Sequence, residues 1–275
     1  MKVELKTWGA LGLATALAGA GIAGCSGEAG ENANPAETAQ VGEGGEGGEG
    51  EGGEGGESGE GGVDIASAAS DPVTYTTALA IAEAHVLAAR DAYRAGQTEA
   101  AAEMFAHPVS EVLADMDPVL TESGVADFKP LFSEASQAAF AGASVKDVDA
   151  KVDDIIAALR GAAQKAPDNG TSDAAVAGGV IADQIERAVA MYAEASSSDQ
   201  YAPYLDGYGF YMAAKAHFEL SGDAIRGENE SLHTKIGQAL ALLAKAYPAA
   251  ERPASLDANQ GALSGASSSV MLSAN

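Results

Sequence analysis

The chain is short of the residues that most often carry chemistry or cross-links. Its 275 residues hold one cysteine, Cys25, and one tryptophan, Trp8. A single thiol makes no intrachain disulfide, so no covalent staple is available to any fold here. Once Cys25 is used for modification, no thiolate is left to act as a nucleophile or a metal ligand. Positive charge is also scarce. Fifteen lysines and arginines stand against 40 acids, and none lies between Lys6 and Arg90. Nothing neutralises a row of phosphates, which argues against nucleic acid as a partner. No stretch alternates apolar and polar residues with period two, so no strand is expected. His-Glu-x-x-His is absent, and so is a Gly-x-Ser-x-Gly elbow in the foldable region. The chain therefore reads as a non-enzyme, with a hydrolase of unrecognised type as one alternative.

What is present begins with a leader. Lys2 and Lys6 precede an apolar run, Trp8 to Ala23, that is too short and glycine-rich for a membrane span. It ends in Ile22-Ala23-Gly24-Cys25, which resembles the bacterial lipobox. That resemblance implies a signal peptide over residues 1–25, cleavage before Cys25, and acylation of its thiol and new amino group. The product is a lipid anchor in a bilayer. The implied address is the bacterial cell envelope, facing the periplasm or the cell surface. Ser26 after the cysteine, rather than aspartate, suits the outer membrane. Residues 26–72 read as a disordered tether built on VGEGGEGGEGEGGEGGESGEGG. It has almost no apolar side chain to bury, and its spaced glutamates repel one another. About a dozen acids between Glu28 and Asp71 place roughly half of the net charge of −25 outside any domain.

From residue 73 to 250 the pattern is helical. Leu79, Ala82, Val86, Ala89 and Tyr93 mark one apolar face of a helix that stops at Gly96. Thr98 is the expected N-cap of the next helix. Pro108 is expected to break that helix and to start a third, leaving His107 at the corner. Further helices are expected over 125–140, from Ser144 with its capping-box partner Asp147 to Lys165, from Ser172 or Asp173 onward, over Tyr204 to Leu220, and over Leu232 to Tyr247. Ser221-Gly222-Asp223 reads as a break, and residues 251–275 as a loose tail. The fold class is all-α, an antiparallel up-and-down bundle of about seven helices with no sheet.

Two constellations can carry chemistry. His85 and His107 fall on antiparallel arms of one hairpin, with Glu111 a turn beyond His107. Imidazole and carboxylate are the nitrogen and oxygen donors of iron, zinc or copper(II) sites. The same residues can equally be hydrogen-bonded structural groups. The second constellation is YAPYLDGYGFYMAAKAHFE, where Tyr204, Tyr208, Tyr211 and Lys215 share one helical stripe. Asp206, Phe210, Ala213 and His217 share the neighbouring stripe. A half-buried tyrosine seam is one reading. The other is a phenol-lined pocket with Asp206, His217 and Glu219 as ligands. The metal candidates are His85, His107, Glu111 and His217.

HVLAARDAYRAG followed by MFAHPVSEVLADMDPVL resembles a group of exported helical bacterial proteins linked to iron handling. Ala84-His85 stands at the group's Gly-His pair, and Met104-x-x-His107-Pro108 at its His-x-x-His-Pro run. YLDGYGFYM is similar to a Tyr-Leu-x-Gly-Phe segment in the exported helical part of bacterial iron permeases. Together these stretches cover about fifty residues. They imply iron as the bound ion and a metal-transport membrane protein as a partner, while the donor set by itself also admits copper. The rival function class is a structural or scaffolding lipoprotein with no small-molecule site.

Overall fold

Asp71 starts the central helix. Its carboxylate accepts hydrogen bonds from the backbone N–H groups of Val73 and Thr74, and Pro72 occupies the first helical turn. The helix, α2, runs Pro72–Arg94. The computed structural model describes residues 62–274; the leader, Cys25 and the Glu-Gly repeat lie outside them. A one-turn helix, α1 (Ile65–Ala68), is capped by Asp64 and buries Ala68. Ordered structure therefore begins several residues before position 73, inside the stretch assigned to the tether.

Every residue of α2 from Thr77 to Ala89 is buried, so this helix is covered all round rather than on one face. Six alanines among those thirteen residues keep its surface low, and α3 (Thr98–Pro108), α6 (Val145–Ala163), α7 (Asp173–Ser197) and α8 (Ala202–Glu228) all pack on it. Gly96, at φ +83°, turns the chain back. Gln97 rather than Thr98 is the N-cap of α3, without a side-chain cap bond.

Pro108 does not break the chain into a corner. Helix α3 (Thr98–Pro108) continues through a π-helical turn, Val109–Leu113, into α4 (Ala114–Glu122). The Ala114 N–H reaches back five residues to the Val109 carbonyl. A proline inside a helix removes one rung of the ladder. Here a wide π-helical turn follows it, and the helical path continues rather than stopping. Helices α5 (Lys129–Phe140), α6 (Val145–Ala163) and α7 (Asp173–Ser197) follow as expected. Ser144 and Ser172 cap the last two.

Helix α8 runs Ala202–Glu228, past the expected stop at Ser221. Gly222 is buried in mid-helix within reach of the Phe218 ring. Helix α9 is Glu230–Ala246 and α10 is Gln260–Ala274. The expected loose tail is thus a docked helix that buries Leu263, Ser267 and Val270 against α7 and α9. Tyrosines fix the chain leading to it. Tyr204 and Tyr201 donate to the Ala249 and Ala250 carbonyls, Tyr247 donates to Ala188, and the Tyr192 hydroxyl accepts from the Ala258 N–H. Of the tyrosine stripe itself, Tyr204 is tied to Ala249, Tyr208 donates to an Asp91 carboxylate oxygen and Tyr211 stacks on Tyr247, so each is engaged in packing within the bundle.

Among the described residues every regular element is helical and none is a strand. The fold is the all-α bundle that the sequence pattern gives. No described helix is long and apolar enough to cross a membrane.

One close approach sets the site. A Cβ at Gly209 would lie 2.5 Å from the Ala84 carbonyl oxygen, nearer than side chains come. Glycine at 209 is what lets α8 cross α2 at Ala84, between Glu83 and His85. The crossing leaves Asp206 on one flank of α2 and His217 on the other.

Candidate metal centre

His85 is 5 % exposed, on the flank of α2 that faces Asp206. Its Nδ1–H donates to the Ile81 carbonyl one turn back, at 2.9 Å. This bond fixes the tautomer and aims Nε2 away from α2, the arrangement usual for a ligating histidine. Nε2 faces two carboxylates, Glu111 Oε2 at 3.4 Å and Asp206 Oδ1 at 3.7 Å. His107 Nδ1 lies 3.6 Å from the other oxygen of Glu111, and the two imidazole rings stand edge to face with centroids 6.1 Å apart. The Phe210 ring, 5.8 Å from His85, covers one side. Three local devices assemble this group: the Gly96 hairpin, the π turn carrying Glu111, and the Gly209 crossing that delivers Asp206.

The electrostatics ask for a cation. With Nδ1 protonated, a neutral His85 turns the lone pair of Nε2 toward two negative oxygens. A proton on Nε2 is one remedy. Burial opposes the charged imidazole, but the Glu111 hydrogen bond and the nearby Asp206 charge outweigh it and raise the His85 pKa. The His85 hydrogen bond in turn holds the Glu111 carboxyl below its ordinary range, against burial. Burial pushes Asp206 up despite both histidines. Its Oδ1 is shielded from solvent and has no hydrogen-bond partner, 3.7 Å being too long for one. Buried polar atoms are normally satisfied, so this oxygen, facing His85 Nε2, has capacity left to accept a proton donor or a cation.

His85, His107 and Asp206 each offer one donor atom, all within 4.8 Å of one another. An ion holding donors at about 2.1 Å keeps them no more than roughly 4.2 Å apart, so side-chain rotations of under an ångström close the set. The donors open onto a cleft of about 520 Å³, whose apolar wall includes Ile81, Met191, Pro203 and Phe210.

Of the four candidate ligands, the structure brings His85, His107 and Glu111 together and leaves His217 out. His217 Nε2 sits 3.6 Å from Glu83 Oε2 on the opposite flank of α2. Glu83 is 2 % exposed and takes a 2.6 Å hydrogen bond from Arg160 Nη2. Burial first, then the Arg160 charge, lower the His217 pKa against the pull of Glu83. His217 is a neutral member of a buried ion-pair group, and it lines a different cleft. Asp206 takes its place at the centre, and Glu219 is only an exposed partner of Lys215. The sequence signal for Asp206 was its place on the Phe210 stripe, which the tighter match of His85 with Glu111 overshadowed.

No family model, no curated protein and no solved structure matches the chain. Function must then be argued from the chemistry of the site itself.

Proposed function

We propose that the helical domain binds a transition-metal ion, iron foremost, at His85, His107 and Asp206 with Glu111 beside them. We propose further that the protein is held in a bacterial cell envelope by a lipid on Cys25 and works with a metal-transport membrane protein. The observation that carries the metal reading is the buried Nε2 of His85, aimed at Glu111 and at an unpartnered oxygen of Asp206. Two imidazoles and carboxylate oxygens suit iron, zinc or copper(II). The Ile81 hydrogen bond and the Phe210 contact would hold the ligands in place before the ion arrives. Resemblance to iron-linked exported proteins favours iron among these ions. No proton-transfer or nucleophilic step is needed to account for the group, which supports binding rather than catalysis.

The direct test is titration of the purified protein with iron(II), iron(III) and copper(II). One ion per chain is expected. A chain that takes up none would return His85, Glu111 and His107 to a purely structural network and favour a scaffolding lipoprotein.

The anchor has its own test. Cys25→Ser should release the protein into the soluble fraction or leave its leader uncleaved, because the acyl chains hold the anchor to the bilayer. A correctly cleaved Cys25→Ser protein that stays tightly on membranes would contradict the anchor.

A further inference from the structure

The metal centre offers fewer donors than iron takes and more room than an ion fills. His85, His107 and Asp206 each offer one atom within 4.8 Å of the others, and Glu111 stands against both imidazoles. Two histidines and a carboxylate are the set that leaves coordination positions of iron open to an outside ligand. All four side chains line the same cleft of about 520 Å³. A water occupies only about 30 Å³, whereas pockets for small organic ligands run from roughly 300 to 1,000 Å³. The space beside the ion is of the second kind.

The rest of the wall decides what fits there. Ile81, Ala190, Met191, Ala202, Pro203 and Phe210 give it an apolar surface. Water lying on such a surface makes few hydrogen bonds, and an apolar group displaces it with a gain in affinity. Phe210 already stands edge to face with His85, so an aromatic ring entering beside the metal meets an aromatic partner. Among the described residues, Arg187 is the only lysine or arginine lining the cleft. It is bound to Asp183 at 2.6 Å and lies over the Phe210 ring. No unpaired cation is left there to hold an organic anion by itself, so the anion must come with the ion.

We infer that the cargo of this centre is iron already held by a small aromatic chelator with two adjacent oxygen donors, the catecholate class. Its oxygens fill neighbouring positions that the protein leaves open, and its ring lies against the apolar wall. Oxygen donors of this kind add to the two imidazoles without competing for their places. The inference rests on the metal reading above.

The test offers the purified full chain three probes: a one-to-one complex of iron(III) with 2,3-dihydroxybenzoate, the dihydroxybenzoate alone, and zinc(II) as a bare ion. Iron and chelator are counted per chain after desalting, and the iron–catecholate absorption band shows that the two remain joined. Wild type is expected to keep one of each per chain and to take up no chelator without iron. His85→Ala should abolish retention of both. Ala190→Trp and Ala202→Trp add bulk at exposed points of the cleft wall, on α7 and α8. Each is expected to weaken the complex by at least about tenfold while zinc(II) moves by less than about threefold, the steric cost of overfilling a shaped space. Wild type that binds zinc(II) but refuses the complex, or keeps its iron and sheds the chelator, would overturn the inference and leave the ion site standing. So would chelator taken up without iron or kept by His85→Ala, or both tryptophan variants binding the complex as tightly as wild type. A wild type that binds neither zinc(II) nor the complex would overturn the metal reading itself.

Discussion

Replacing His85 with alanine is expected to lower metal affinity by more than about 100-fold, because removing even a residue that only supports a ligand costs 10- to 100-fold. His85 is the buried anchor of the group, with Nδ1 fixed on Ile81 and Nε2 committed to the centre. His107→Ala should also weaken binding strongly. Its side chain is 37 % exposed, so this variant leaves the core undisturbed and separates loss of a ligand from loss of packing. Binding should also weaken as pH falls, since a protonated imidazole cannot ligate. The pKa of His85 is raised by Glu111 and Asp206 over the opposing effect of burial. Competition from protons should therefore begin above the ordinary histidine value of about 6.5. Calorimetric titration across pH 5 to 8 reads both effects. Equal binding by wild type and both variants would show that these histidines are structural.

Replacing Arg160 with methionine is expected to destabilise the fold by about 3 kcal/mol, the lower end of the cost of stranding one partner of a buried ion pair. The lower end applies because the Arg160 side chain is itself 41 % exposed, whereas that of Glu83 is only 3 % exposed. The effect should depend on pH in a definite direction. In the wild type the folded-state pKa of His217 is lowered, by burial first and then by Arg160. A lowered histidine contributes stability above its unfolded pKa of about 6.5 and loses it as pH falls toward the folded value. Without the arginine, Glu83 becomes the one charge facing His217, so protonated His217 can replace the missing cation. The destabilisation should then be largest near pH 8 and shrink toward pH 5.5. Chemical denaturation at both values measures it. A penalty that stays constant or grows on acidification would contradict this account of the Glu83 group.

The helices were legible where hydrophobic spacing and capping residues agreed. Ser144 with Asp147 and Ser172 announced α6 and α7, and Gly96 announced the hairpin that brings His107 back to His85. Pro108 misled because a proline shows the lost hydrogen bond but not the π turn that follows it. Ser, Gly and Asp at 221–223 and the glycine- and serine-rich α10 misled because weak helix formers were outvoted by burial. For α10 the usable signals were Asn259, whose side chain accepts from the Ala262 N–H, and the spacing of Leu263, Ser267 and Val270.

At the site, pairing across a tight hairpin is local and was readable. The contribution of Asp206 was not, because it depends on where α8 crosses α2, and that depends on a backbone approach at Gly209. His217 shares a stripe with Asp206 but lies eleven residues on, roughly 16 Å along the helix axis. A shared stripe fixes direction, not proximity.

Anomalous diffraction at the iron edge, from crystals of the iron-loaded protein, tests the metal centre most directly. A single strong peak is expected between α2, the turn after Pro108 and α8, within about 2.2 Å of His85 Nε2, a His107 ring nitrogen and an oxygen of Asp206. A peak at His217 or His233, or iron bound only by carboxylates elsewhere on the chain, would contradict it.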